Sequence, residues 1–389
     1  IGVNALVFLG LLLLLEAGNQ VLGVARPSYD VLFLQPDRVV GWKQVPNLHW
    51  TWARPDFSVR VDTNSLGFRD VPREIPKPQD VKRVALLGDS FIEAVQVPLS
   101  LTAGQILEHR LNSTLARGST HLRQWEVLNF GISAFSVGQY LLTWEQYASQ
   151  YRPDLVVALV SWVQMRRTTA KFEYGAFAAT KGERLWVRPT FRIEDGALVR
   201  EPARDFERFE EAQAKVMAGE FEGKRMHRRG RPLLTITSAR LILDRLATLS
   251  SPLTSLSKLK SPLPQRAPRV NLAEVKAVNL EIICELGRQV ENEGAKLVIL
   301  DMTQYLSSDP DLSSELDALC TKKGFGYVPV YRDLLNANRK GVATRWAHDG
   351  HFNEAGNRIL ADALYQWIGE SASGNRTAAA PLTGRHADS

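Results

Sequence analysis

The stretch VALLGDSFIEA, Val84 to Ala94, runs four apolar residues into Gly-Asp-Ser and straight on into a helix-like segment. Four apolar residues closed by glycine read as a strand buried on both faces, and Asp-Ser before a periodic apolar run reads as a helix start. A buried strand that gives way directly to a helix is the opening half of a βαβ unit, and this sets the fold class. The same stretch leaves Ser90 at the carboxyl end of a strand. There a serine is a good helix N-cap. Its oxygen would also face the backbone N–H groups of the helix start, a place suited to an attacking group and a developing oxyanion.

The alternation continues outward from this point. VKRVALLGDS, EVLNFGIS and DLVVALVSW read as strands, with LTAGQILEHRLN and SVGQYLLTWEQYASQY as the helices between them. After a break the pattern resumes with the amphipathic LAEVKAVNLEIICELGRQVENEG and the strand AKLVILDM. The helix LSSELDALCTKKG, the short strand YVPVY and the closing helix NEAGNRILADALYQWI follow. Strands apolar on both faces and separated by helices predict an α/β fold, a three-layer α/β/α sandwich with a parallel sheet and a large insertion. Active residues are expected at the carboxyl ends of its strands.

The sheet domain is expected over 81–168 and 270–370, interrupted by an insertion or cap at 169–269. Within the insertion, RLWVRPTFRIEDGALVREP looks like a hairpin around Asp195-Gly196, DFERFEEAQAKVMAGEFEGKRMHRR like a charged helix, and KSPLPQRAPR like a proline-rich linker. Residues 26–80, with VDTNSLGFRD near their end, read as loops and short strands wrapped around the edge of the main domain. The small, polar residues 371–389 are expected to be disordered. Residues 1–25 hold the uncharged run VNALVFLGLLLLL, Val3 to Leu15, short of the roughly 20 residues of a full span. A signal anchor completed by residues further upstream would explain it, and a cleaved signal peptide is the rival, since Gly23 and Ala25 offer small residues at suitable spacing. A soluble core helix ranks third, because five consecutive leucines leave no polar face. Either of the first two places the rest of the chain on the extracytoplasmic side, membrane-anchored or, after cleavage, secreted.

Composition narrows the function. The chain has 389 residues, 44% hydrophobic and 23% charged, with 48 basic and 42 acidic residues spread along it, so nucleic acid is not an expected partner. The densest basic run, KRMHRRGRP from Lys224, reads as a solvated helix end or loop. The two cysteines, Cys284 and Cys320, occupy apolar positions of helix-like segments and read as buried small hydrophobes. No zinc spacing or phosphate-cradling glycine run is present, so neither a metal nor another cofactor is expected.

The partner for Ser90 comes from the far end of the chain, in WAHDGHFNEAGN. Asp349 and His351 fall just before the closing helix, in a loop that a parallel sheet places on the edge that carries Ser90. A serine hydroxyl needs a base to take its proton, and the base needs a carboxylate to hold its tautomer; Ser90, His351 and Asp349 would make a complete triad. Packed as a plain helix cap and an aromatic neighbour of Trp346 or Phe352, the pair would be structural only. His348, beside the pair, would point away from Ser90, and His109 and His121 sit in polar surroundings.

These residues resemble the SGNH hydrolases, the GDSL-like esterases and acyltransferases, over Val81 to Thr168 and about Asn271 to Gly369. GDSF matches the first family block, with Ser90 as nucleophile. NFGIS matches the second, where Gly131 would lend its N–H to the oxyanion hole. Asp349 and His351 match the last in a D-x-H form instead of the D-x-x-H of many members. In the third block, where related members carry Gly-Asn-Asp, this chain has Val163 and Gln164. Gln164 either keeps the oxyanion amide one methylene farther out or is an ordinary polar residue at a strand end. The resemblance implies an extracytoplasmic serine esterase or O-acyltransferase acting through an acyl-enzyme on small, acetyl-type esters. An acylated carbohydrate or other small ester would be the partner, and the membrane would be met through the N-terminal segment. A degenerate domain that binds glycan or organises an envelope complex is the alternative.

Overall fold

The computed structural model describes residues 33–115, 124–169, 176–180, 183–217, 271–306 and 310–372. The apolar run Val3–Leu15, His121, the basic run at 224–232, the proline-rich 260–269 and residues 373–389 lie outside the described residues. Among the described residues, no helix is long and apolar enough to cross a membrane.

Two antiparallel hairpins come first: β1 (Leu34–Asp37) with β2 (Gly41–Gln44), and β3 (His49–Arg54) with β4 (Phe57–Asp62). The sheet domain then opens with β5 (Val81–Leu87), a four-residue helix α1 (Ser90–Glu93) and α2 (Ala103–Leu115). It continues through β6 (Gln124–Asn129), α3 (Val137–Thr143), β7 (Leu155–Val160) and α4 (Trp162–Thr169). The insertion contributes β8 (Ala176–Thr180), β9 (Glu183–Trp186), β10 (Thr190–Glu194), β11 (Ala197–Glu201) and α5 (Phe206–Met217). The chain returns with α6 (Leu272–Asn292), β12 (Lys296–Asp301), α7 (Thr303–Leu306) and α8 (Pro310–Lys323). It closes with β13 (Gly326–Val328), α9 (Tyr331–Arg339) and α10 (Glu354–Ala372).

The central sheet has the order β13-β12-β7-β5-β6, with every pairing parallel. Connections leave β5 in opposite directions, to β6 on one side and, through β6, to β7 on the other. Its carboxyl end is therefore the topological switch point at which open α/β sheets place their ligands. Alternate strand residues feed two cores. Ala85, Leu87, Val156, Ala158, Leu297 and Ile299 pack with α3, α6 and α8 on one face. Val84, Leu86, Val157, Leu159, Val298 and Leu300 pack with α2, α9 and α10 on the other. This period of two with both faces buried explains why the strands are continuous apolar runs, and the result is a three-layer α/β/α sandwich.

Several local readings need adjustment. The helix expected over Ser136–Tyr151 is α-helical only to Thr143; a π turn at Trp144–Ala148 and a 3₁₀ turn at Ser149–Tyr151 follow. The wider turn allows Trp144, Tyr147, Ala148 and Tyr151 all to be buried. The strand in YVPVY ends at Val328, because Pro329 cannot donate to the ladder, and α9 begins at Tyr331. Cys320 is buried but Cys284 is only partly so. The hairpin at Asp195-Gly196 forms, both residues in the left-handed region with φ of 49° and 78°. Phe191 of β10 and Phe209 of α5 are buried in the core that contains α3 and α6, which seats these parts of the insertion on the sandwich.

The N-terminal extension does more than was expected of it. Asp70 and Arg73 do run along the edge strand β6, bonding the Asn129 N–H and the Val127 carbonyl, but the extension also reaches the loops at the carboxyl end of the sheet. Trp42 is fully buried against Phe135 and donates from Nε1 to the Ser133 carbonyl at 3.1 Å. Gln44, Asp56 and Arg69 bond to residues around Ser90 and His351.

Candidate active site

Strand β5 ends at Leu87 and is followed by Gly88, where a Cβ would lie 2.1 Å from Ile92 Cγ1, so glycine lets the chain turn tightly into α1. The helix is capped by Asp89: its side chain accepts the Phe91 N–H at 3.1 Å, and its carbonyl accepts from Ile92 and Glu93. Asp89 also pairs with Arg167 of α4 at 2.9 Å, and the same guanidinium donates to the Phe135 carbonyl. Capping therefore falls to Asp89, and the hydroxyl of Ser90, the first helical residue, is left for another partner.

That partner is His351. Its Nε2 lies 2.9 Å from Ser90 Oγ, and its Nδ1 lies 2.5 Å from Asp349 Oδ1. With Nδ1–H donating to the carboxylate, Nε2 carries the lone pair that accepts the serine proton. The side chains are graded in access: Asp349 is 10% exposed and His351 is 31% exposed. Burial pushes the Asp349 carboxyl up, but the His351 hydrogen bond and charge, with Arg54 beyond, hold it below the usual carboxylate range. The D-x-H spacing closes because Gly350 is left-handed at φ 82° and the loop folds back on itself. Trp346 N–H donates to the His351 carbonyl at 2.9 Å, and Gly350 N–H to the Trp346 carbonyl at 3.0 Å. Phe352 anchors the loop in the core, edge-on to Phe91, which in turn lies against the His351 ring.

The two other residues singled out in the sequence sit differently. A Cβ on Gly131 would lie 2.5 Å from Glu93 N, so glycine is required for its close approach to α1. Its N–H, however, donates to Asn129 Oδ1 at 2.9 Å. Gln164 lies on α4, not at a strand end; it is fully buried, and neither atom of its side-chain amide has a hydrogen-bond partner among the described residues. A buried amide without partners costs about 1–3 kcal/mol. Ser161 Oγ and Thr303 Oγ1, at the carboxyl ends of β7 and β12, are also buried without partners among the described residues.

A supporting network went unread in the sequence. Asn129 donates from Nδ2 to the Ile92 carbonyl at 2.9 Å and accepts the Gly131 N–H, which ties α1 to the loop after β6. Asp70 accepts the Asn129 N–H, and Arg69 donates to the carbonyls of Glu93 and Ala94, orphan acceptors at the end of α1, and to that of Val97 in the turn beyond. Glu93 is wholly buried and accepts from Gln44 Nε2 and Ser133 Oγ. Burial pushes its carboxyl up to about 7, opposed by the Ser133 bond and by the charges of Arg69 and His351. The signals were the NFG of Asn129, read for Gly131 and not for Asn129, and the GFRD that ends at Asp70, read only as local structure.

His348 is exposed and pairs with Asp56, while His109 is exposed on α2. Among the described residues no three His, Cys, Asp or Glu side chains gather to hold a metal ion. A hydroxyl, an imidazole and a carboxylate in relay at a sheet's switch point can transfer a proton from the serine as its oxygen attacks an acyl carbon.

No family model matches the sequence, and no curated protein matches it. Among solved structures the chain is similar to TesA, at 12% identity over 74% of this chain and 98% of that one, with a TM-score of 0.37. It is also similar to LAE5, an alpha/beta hydrolase enzyme from the metagenome of Lake Arreo, at 10% identity, 74% and 95% coverage and a TM-score of 0.39. A third is Axe2, an acetylxylan esterase from Geobacillus stearothermophilus, at 9% identity, 74% and 94% coverage and a TM-score of 0.38.

Proposed function

We propose that the chain is an SGNH-type serine esterase or O-acyltransferase, with 81–168 and 270–370 as its hydrolase-like domain and 169–269 as a cap. The observation that carries this reading is the relay Ser90 Oγ to His351 Nε2 at 2.9 Å and His351 Nδ1 to Asp349 at 2.5 Å. Ser90 Oγ attacks the acyl carbon while its proton passes to His351, whose imidazolium is stabilised by Asp349. Collapse of the tetrahedral intermediate breaks the ester C–O bond, His351 protonates the departing alcohol, and the acyl group stays on Ser90. Water or a second hydroxyl then attacks the acyl-enzyme, giving its proton to His351, and Ser90 is released. The oxyanion donors are the Ser90 N–H and Gln164 Nε2, joined by the Gly131 N–H once it leaves Asn129. The apolar run Val3–Leu15 favours an extracytoplasmic, membrane-attached enzyme, and small acetyl-type esters of carbohydrate are the substrates that fit this placement.

A second reading, a domain that binds glycan without turnover, is favoured by one observation: the Gly131 N–H is already bonded to Asn129. A fluorophosphonate probe separates the two. Ser90 Oγ displaces fluoride from phosphorus, so the enzyme is expected to be labelled at Ser90. Labelling should vanish in Ser90→Ala and nearly vanish in His351→Ala. A folded protein that takes no label is the degenerate domain.

A further inference from the structure

Strands β3 and β4 pair with Arg54 opposite Phe57, leaving Pro55-Asp56 as the turn of the hairpin. Asp56 lies against the loop that carries Asp349 and His351, 292 residues along the chain. Its Oδ2 accepts the His348 backbone N–H at 2.7 Å, and its Oδ1 is 2.5 Å from His348 Nδ1. The neighbouring Phe57 ring packs on Trp346, the first residue of the same loop, with centroids 5.6 Å apart. Ala53, Arg54 and Pro55 around the tip are exposed, yet the Asp56 side chain is only 12% exposed. The hairpin tip is thus seated on the loop.

The seating bears on the relay because of the D-x-H spacing. Asp349 must fold back two residues to reach His351, and the loop's own bonds, Trp346 N–H to the His351 carbonyl and Gly350 N–H to the Trp346 carbonyl, fix its two ends. The His348 N–H in the middle takes its acceptor from outside, from Asp56. A carboxylate is suited to this, since bonds from N–H groups to a charged acceptor are shorter and about twice as strong as neutral ones. The His348 hydrogen bonds, first from the ring and then from the backbone, with the Asp349 N–H adding to them, hold the Asp56 carboxyl below the usual range.

We propose that Asp56 is a positioning residue: by holding the His348 backbone it sets the Asp349–His351–Ser90 spacing, so that the N-terminal extension completes the active site. This rests on the reading of those three residues as a triad. A misplacement of about 1 Å in such a relay costs about 10²-fold in rate.

The test measures fluorophosphonate labelling of the full chain, with the limiting rate and the half-saturating probe concentration resolved, and thermal unfolding of each variant. Asp56→Ala is expected to lower the limiting rate by about 10²-fold with the half-saturating concentration unchanged. Asp56→Asn, whose amide oxygen can accept the same N–H, is expected to recover most of that loss. Wild-type labelling in Asp56→Ala, alongside none in His351→Ala, overturns the role of Asp56 and leaves the triad standing. Equal slowing in Asp56→Ala and Asp56→Asn, in step with a lowered unfolding temperature, marks a merely structural residue and also overturns it. An unlabelled wild type, or a His351→Ala protein labelled like wild type, sinks the triad reading and the role of Asp56 with it.

Discussion

Replacing Glu93 by glutamine should stabilise the protein at alkaline pH, although it removes a charge beside an arginine. The unfolded chain releases the Glu93 proton near 4.5 and the folded one near 7, because burial opposes the charged form. From about pH 4.5 upward the folded state therefore holds a proton that the unfolded state has lost, and stability falls as pH rises. At about 1.4 kcal/mol per tenfold change in proton affinity, the displacement from 4.5 to about 7 amounts to about 3 kcal/mol at high pH. About 2 kcal/mol of this falls between pH 5 and pH 8. Glutamine cannot titrate, can accept from Gln44 Nε2 through its oxygen and can donate to Ser133 Oγ through its nitrogen. Asp70, raised to about 6 by burial, imposes its own fall with pH on both proteins, so their difference isolates Glu93. Urea unfolding of wild type and Glu93→Gln at pH 5 and pH 8 is the measurement, with the wild type expected to lose about 2 kcal/mol more than the variant. Parallel pH dependence in the two proteins, or a wild type that gains on the variant as pH rises, would refute the reasoning.

Two further outcomes follow from the oxyanion side of the site. Gln164→Met, which replaces a buried amide without partners by an apolar chain of similar length, is expected to raise stability by about 1–3 kcal/mol in urea unfolding. It should also slow Ser90 labelling by about 10²- to 10³-fold if the amide serves the oxyanion, and a variant that loses stability instead would show that the amide is satisfied. Gly131→Ala would place a Cβ 2.5 Å from Glu93 N and 2.9 Å from Ile92 C, both backbone atoms, and is expected to cost about 1–3 kcal/mol and to slow labelling. An unchanged unfolding midpoint would mean that α1 moves freely.

The sheet was legible because burial on both faces leaves a trace: VALL, LVVALV and KLVILD contain little that could face water, and the helical patterns between them point to a parallel sheet covered on both sides. The π turn at Trp144 and the helix α9 were not, since both depend on which residues happen to be covered by neighbours. In the site, Ser90, Asp349 and His351 stood out because their side chains can do chemistry. Asn129 and Arg69 did not, because their work is to hold backbone groups of α1, and a hydrogen bond to a carbonyl leaves no mark on the sequence around it; Glu93 did not, because its partners, Gln44 and Ser133, lie 40 or more residues away in the chain.

Local pattern alone determined the parallel α/β order, the strand-to-helix turn at Gly88 and the candidate residues at either end of the chain. Tertiary structure decided the rest. Asp89 and Ser90 are both good caps by local rules, and the pairing of Asp89 with Arg167, 78 residues away, accompanies its capping role and leaves the Ser90 hydroxyl to His351. The burial of Gln164 and the reach of Asp56 to His348 were settled in the same way. Helix and strand signals depend on neighbours in the chain, whereas the orientation of a hydroxyl or an amide depends on groups that meet only once the sheet has brought distant loops to one edge.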